Sequence, residues 1–170
     1  MGGVYVSGVC FTGHRSIKEP LSNLYRRLDR AIEKAVTDYK AMDFYVGGAV
    51  GFDMIAALRV LRLKKKYGSV HLHLVLPCPI PEMVIKWSDE DKAVFEDILN
   101  RADSITVISD RYYDGCMKER NQRLVDLADT LCICYWNEND NRSGTGQTVR
   151  MARRKGIKIC NLYKAPTIYK

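Results

Sequence analysis

Three short stretches carry the residues that could do chemistry: FTGHR (Phe11–Arg15), GGAVGFD (Gly47–Asp53) and SGTGQT (Ser143–Thr148). In the first, Thr12 offers a hydroxyl, Gly13 allows a tight turn, His14 is titratable, and Arg15 is a fixed cation able to grip phosphate bidentately. Spacing alone reads this stretch equally well as a solvated turn. In the second, Gly47, Gly48 and Gly51 cost conformational entropy. They fit a backbone that closely approaches another group, with amide N–H groups at a helix start facing an anion. Asp53 then either caps that helix or binds a ribose hydroxyl. In the third, the amides and hydroxyls of Ser143, Gly144, Thr145 and Gly146 form an anion site ahead of Gln147 and Thr148, where the next helix is expected to start. None of the three is a GxGxxG fingerprint, and a P-loop would need Lys where Gln147 stands.

The elements that must position these stretches follow from apolar periodicity. β-rich runs occupy 4–13, 43–48, 69–77, 104–109, 130–136 and 157–162. Between them, Leu21, Leu24, Leu28, Ala31, Ile32, Ala35 and Val36 form a helical stripe. A second helix is expected over 52–66. A third opens at Ser88, a capping residue followed by acidic residues suited to a helix N-terminus, and would bury Val94, Phe95, Ile98 and Leu99. Two more are expected over 115–129 and 148–155. Such alternation predicts a Rossmann-like three-layer α/β/α sandwich with a mainly parallel sheet of about six strands, as a single domain over 1–170. Ligands of open parallel sheets sit beyond the carboxyl ends of the strands. All three stretches fall there, which favours phosphate binding over plain turns.

Composition excludes several classes. No apolar run approaches the roughly 20 residues of a membrane helix, so no membrane partner is expected. The N-terminus reads as a first strand, not a signal peptide. The six cysteines have no CxxC or zinc spacing and read as reduced thiols of a cytoplasmic protein, with Cys132 and Cys134 on one face of a strand. His71 and His73 alternate with leucines, which fits packing or an edge strand better than a metal site, and no metal is expected. The net charge of +7 is local: eight basic and no acidic residues lie from Asn141 to Lys170, whereas the first 140 residues balance to −1. That segment suits an anionic partner, or a solvated helix end at Arg153, Arg154 and Lys155.

CFTGHR, GGAVGFDMIAA, LPCPIPEMVIKW, ERNQRLVDLADTLCICYW and SGTGQTVRMARRKGIKI occur in this order across nearly the whole chain. Together they resemble the YpsA-like family of the SLOG superfamily, a Rossmann-like group that also includes DprA and the Lonely Guy phosphoribohydrolases. The resemblance implies a pocket for a nucleotide or nucleotide-derived, ADP-ribose-like ligand, walled by the three stretches and by Arg120 and Asn121. Gly51 and Asp53 match the family's glycine and acidic residue. Trp87 matches a recurrent tryptophan that either stacks on a base or packs the core, and Tyr112 and Tyr113 are either stacking groups or surface loop.

One departure bears on catalysis. Lonely Guy enzymes pair an arginine, matched by Arg120, with a glutamate after a glycine-rich loop. Here Gln147 stands in that place, and Gln orients a ligand but is no general base. The expectation is therefore non-catalytic binding or sensing of a nucleotide-like ligand, with no cofactor required. The alternatives are a nucleotide N-glycosidase using Asp53, Glu119 and Arg120, and DprA-like single-stranded nucleic-acid binding. A homo-oligomer is also an expected state.

Overall fold

Successive residues along a strand face opposite sides of the sheet, so each side needs its own layer of helices. The computed structural model describes residues 7–164. Strand β1 (Ser7–Gly13) leads to helix α1 (Leu21–Tyr39), β2 (Ala41–Val46) to α2 (Phe52–Lys64), and β3 (His71–Leu76) to the short α3 (Ile80–Met83) and α4 (Asp89–Arg101). Then follow β4 (Ser104–Val107), α5 (Cys116–Leu127), β5 (Leu131–Tyr135), α6 (Gly144–Lys155) and β6 (Lys158–Asn161). Every strand pairing is parallel, in the order β4-β3-β2-β1-β5-β6. The fold is the predicted Rossmann-like α/β sandwich. The expected strand residues before Ser7, and Lys170 of the basic segment, lie outside the described residues.

Val9 and Phe11 of β1 and Leu131, Ile133 and Tyr135 of β5 enter the larger core with α1, α2 and α4, whereas Cys10, Cys132, Cys134 and Trp136 enter the core beneath α5 and α6. A period of two with both faces covered is what buried parallel strands require. All six cysteines are free, and Cys132 and Cys134 share one face as expected. On α1, Leu24, Leu28, Ile32 and Ala35 are buried as predicted, but Leu21, in the first turn, is 45% exposed. Ser88 caps α4 by accepting from the Asp91 N–H at 3.1 Å, yet only Phe95 and Ile98 of its expected face are fully buried, in a helix that packs against α2.

Strand β4 is one edge of the sheet, and all four of its residues are exposed. The two histidines of β3 are explained by its neighbours. His73 Nε2 contacts Asp43 Oδ1 at 2.6 Å, its Nδ1 contacts Ser104 Oγ at 2.6 Å, and His71 Nδ1 lies 3.5 Å from Asp103. Among the described residues there is no cluster of three or more metal-ligating side chains, and no helix is long and apolar enough to cross a membrane.

Chain order reverses between β1 and β5. From β1 the chain steps outward through β2, β3 and β4, whereas β5 and β6 extend the other side. Loops leaving the carboxyl ends of these two adjacent strands therefore diverge and leave a crevice.

Candidate functional site

The crevice is built by backbone ties. The His14 N–H donates to the Tyr135 carbonyl at 3.1 Å, holding the end of β1 against β5, and the Phe52 N–H donates to the His14 carbonyl at 3.2 Å, bringing α2 up to it. The chain crosses so closely here that a Cβ on Gly51 (φ 94°) would stand 2.3 Å from the Arg15 carbonyl oxygen. A Cβ on Gly47 would stand 2.4 Å from Arg120 Nη1. The glycines of GGAVGFD thus make room for the protein's own groups. Gly47, Gly48 and Gly51 do not line the cavity, whose wall on this side is Ala49 and Asp53.

The cavity measures about 280 Å³ and is lined from β1 by Phe11, Thr12, Gly13, His14 and Arg15. Helix α5 supplies Met117, Arg120, Asn121 and Leu124, and the start of α6 supplies Ser143, Gly144 and Thr145. Met117 and Leu124 were not singled out from the sequence, although their spacing about Arg120 and Asn121 (i, i+3, i+4, i+7) places all four on one helix face. Glu119 is exposed on the same helix and does not reach the wall.

Arg120 and Asp53 are each only 5% exposed. The Arg120 Nε–H donates to Asn121 Oδ1 at 2.9 Å and its Nη1–H to the Gly47 carbonyl, leaving Nη2 without a protein partner among the described residues. One Asp53 oxygen accepts from the Ala49 N–H at 3.1 Å. Burial raises the Asp53 pKa, and Arg120, the Ala49 N–H and Arg15 only partly offset it. Burial also lowers that of Arg120, against the pull of Asp53. The guanidinium nevertheless stays charged. His14 Nε2 accepts from the Asn137 N–H at 2.8 Å, which fixes the neutral tautomer protonated on Nδ1, and burial lowers its pKa. Thr12 and Thr145 are buried polar residues whose hydroxyls take no protein partner among the described residues.

Helix α6 begins at Gly144, four residues before the expected start at Thr148. Ser143 is its cap: the hydroxyl accepts from the Gly146 N–H at 3.0 Å and donates to the Asp140 carbonyl at 3.2 Å. Thr148 donates back to the Gly144 carbonyl at 2.9 Å, one turn inside the helix. SGTGQT is therefore a capped first turn, and its leading amides, at Gly144 and Thr145, face the cavity end. Gly146 packs beside Trp136, where a Cβ would meet Nε1 at 3.0 Å. Gln147 donates its backbone N–H to the Ser143 carbonyl and is not on the wall. The Ser-x-x-Gly spacing was the available signal, and the capping pattern outweighs the small residues that suggested a loop.

A family model described as the YspA SLOG family matches residues 9–162. The chain belongs to the YspA SLOG family. Similar relatives include the SPbeta prophage-derived protein YoqJ of Bacillus subtilis (strain 168), 26% identical over 151 residues that cover 81% of this chain and 85% of that one. A UPF0398 protein of Brevibacillus brevis is 31% identical over 97 residues, 56% of this chain and half the length of that relative. Among solved structures, the X-ray structure of TM1055 superposes with a TM-score of 0.54 at 14% identity, over 91% of this chain and 72% of that one. At that identity the likeness shows the fold alone. The YspA SLOG match spans all the elements that build the cavity, from β1 to β6.

Proposed function

We propose that this YspA SLOG protein binds a nucleotide or nucleotide-derived, ADP-ribose-like ligand at the crevice between β1 and β5, without cleaving it. The observation that carries this reading is convergence. Buried polar groups on β1, α2, α5 and α6 turn hydrogen-bonding capacity to one cavity. The first-turn amides of α6, the Thr145 hydroxyl, Arg15 and Arg120 hold phosphate, and Asp53 faces a ribose hydroxyl. Binding fits better than catalysis because Asp53 is the single carboxylate on the described wall and His14 Nε2 is already engaged as an acceptor. Thermal shift with nucleoside monophosphates, NAD and ADP-ribose tests it. A ligand of the folded state raises Tm, and no shift with any of them would sink the reading.

A second reading, nucleotide N-glycosidase, draws on the same Asp53. Its burial and raised pKa suit a group poised for proton transfer. Free base released from a nucleoside monophosphate, and abolished by Asp53→Asn, would establish it over pure binding. Nucleic-acid binding has less support because much of the basic segment serves the fold. Lys155 donates to the Val125, Asp126 and Ala128 carbonyls, Arg150 to the Asn141 carbonyl, and Arg153 lies 5.6 Å over the Trp136 ring. Free, mostly buried thiols fit a cytoplasmic setting.

A further inference from the structure

The cavity of the proposed site continues sideways. A second cleft shares Arg15, Ala49, Met117 and Arg120 with it and opens toward the surface between Trp87 and Tyr112. The outer part, about 430 Å³, is lined by Met83, Trp87 and Tyr112, with Glu82 and Lys86 at its edges. Trp87 packs against the core with only part of its ring. It is half-buried, its ring edge-on to Phe95 at 5.2 Å and 66°, and the remaining ring surface lines the cleft. Tyr112 is 60% exposed, so its ring is open for a flat group to cover. The two sides are tied together by the Tyr112 N–H, which donates to Glu82 Oε2 at 2.9 Å, and the Tyr112 loop is braced within itself by Ser109 Oγ donating to the Arg111 carbonyl at 2.7 Å.

We propose that this cleft is a base-binding subsite and that it selects an amino-bearing purine, guanine or adenine. The proposal rests on the reading above, with phosphate and ribose in the inner cavity. Two aromatic side chains on one slot give sequence-tolerant stacking that grows with ring area, so a purine gains more than a pyrimidine. Selectivity comes from Glu82. Its Oε2 is held by the Tyr112 N–H, while Oε1 has no protein partner among the described residues. An ionised carboxylate only accepts, so it matches a base edge bearing an NH₂ group and repels one that presents carbonyls. Uracil offers one N–H between two carbonyls, and hypoxanthine lacks the amine.

Affinities for ribose 5-phosphate, GMP, AMP, IMP and UMP test the subsite. GMP or AMP should bind at least about tenfold tighter than ribose 5-phosphate, with IMP and UMP weaker than the better of the two. Tyr112→Ala, at an exposed position that the fold does not need, should remove that gain while leaving ribose 5-phosphate affinity unchanged. Glu82→Gln should narrow the preference for GMP or AMP over IMP. The chain has two tryptophans, and Trp136 is buried in the core under α5 and α6, so purine stacking should quench Trp87 emission, and Trp87→Phe should abolish the quench. Ribose 5-phosphate binding as tightly as GMP and AMP would overturn the subsite and leave the phosphate reading standing, as would a gain that survives Tyr112→Ala. Failure of every compound to bind would overturn both.

Discussion

At the scale of single residues, Asp53 and Arg120 set the character of the site. Both are charged, both are buried, and their side chains lie beyond direct ion-pair distance, facing the same cavity. The cost of desolvating Asp53 outweighs the attraction of Arg120, the Ala49 N–H and Arg15, so its pKa is raised. Its folded-state pKa therefore lies above the unfolded value. Between the two, the folded chain holds a proton that the unfolded chain has released, so stability falls as pH rises through that window. Asp53→Asn, which keeps an acceptor for the Ala49 N–H, is expected to melt no lower than the unchanged ligand-free protein at pH 7. Its advantage should shrink as pH falls toward the ordinary carboxylate value. A clear loss of Tm at pH 7 would show instead that Arg120 depends on the Asp53 charge. The same substitution should weaken binding of ribose-bearing ligands, placing function and stability in opposition at one residue.

At the scale of elements, the first turn of α6 carries the most consequence. Sequence reading treats SGTGQT as an anion-binding loop and gives Gln147 the place of a catalytic glutamate. Because Ser143 caps the helix, the phase of the turn is fixed, and residue 147 points along a different direction from Gly144 and Thr145. Gln147→Glu is accordingly expected to leave ligand affinity within about threefold and to release no free base from nucleoside monophosphates. Hydrolysis gained by that single change would place residue 147 on the wall after all. Ser143→Ala should remove the cap at about 1 kcal/mol of stability and weaken phosphate binding with it, since the turn that presents the amides would fray.

At the scale of the whole molecule, the sheet is unevenly protected. Strands β1 and β5 are the most fully buried, whereas β4 and β6 are edges with exposed or half-buried residues. Amide hydrogen exchange should therefore be slowest in β1 and β5 and fastest in β4, with a bound ligand adding protection at Phe11–Arg15 and at the start of α6. Uniform protection across all six strands would contradict this ordering. The site sits where the best-protected strands end, so its position is rigid even though the loops around it are polar.

The element order, the parallel sheet and the family were legible in the chain because they depend on local quantities: the period of apolar residues, the caps, and motif order. The three strand exits were legible too, and Thr12, Gly13, His14, Arg15, Asp53, Arg120, Asn121, Ser143, Gly144 and Thr145 do meet at one cavity. Which neighbours fall behind the wall was not. Gly47 and Gly51 look like a phosphate cradle until Arg120 and the Arg15 backbone are seen to fill the space beside them. Gln147 looks like a ligand-orienting residue until the helix start sets its direction, and Glu119 is exposed on α5 away from the wall. Trp87, open between core and ligand on sequence, is placed beside Tyr112 by the approach of two loops separated by β4. Sequence by itself determined the fold class, the family and the strand ends that host the cavity. Tertiary structure alone decided which side chains line that cavity, because that depends on contacts between segments distant in the chain, which no local pattern encodes.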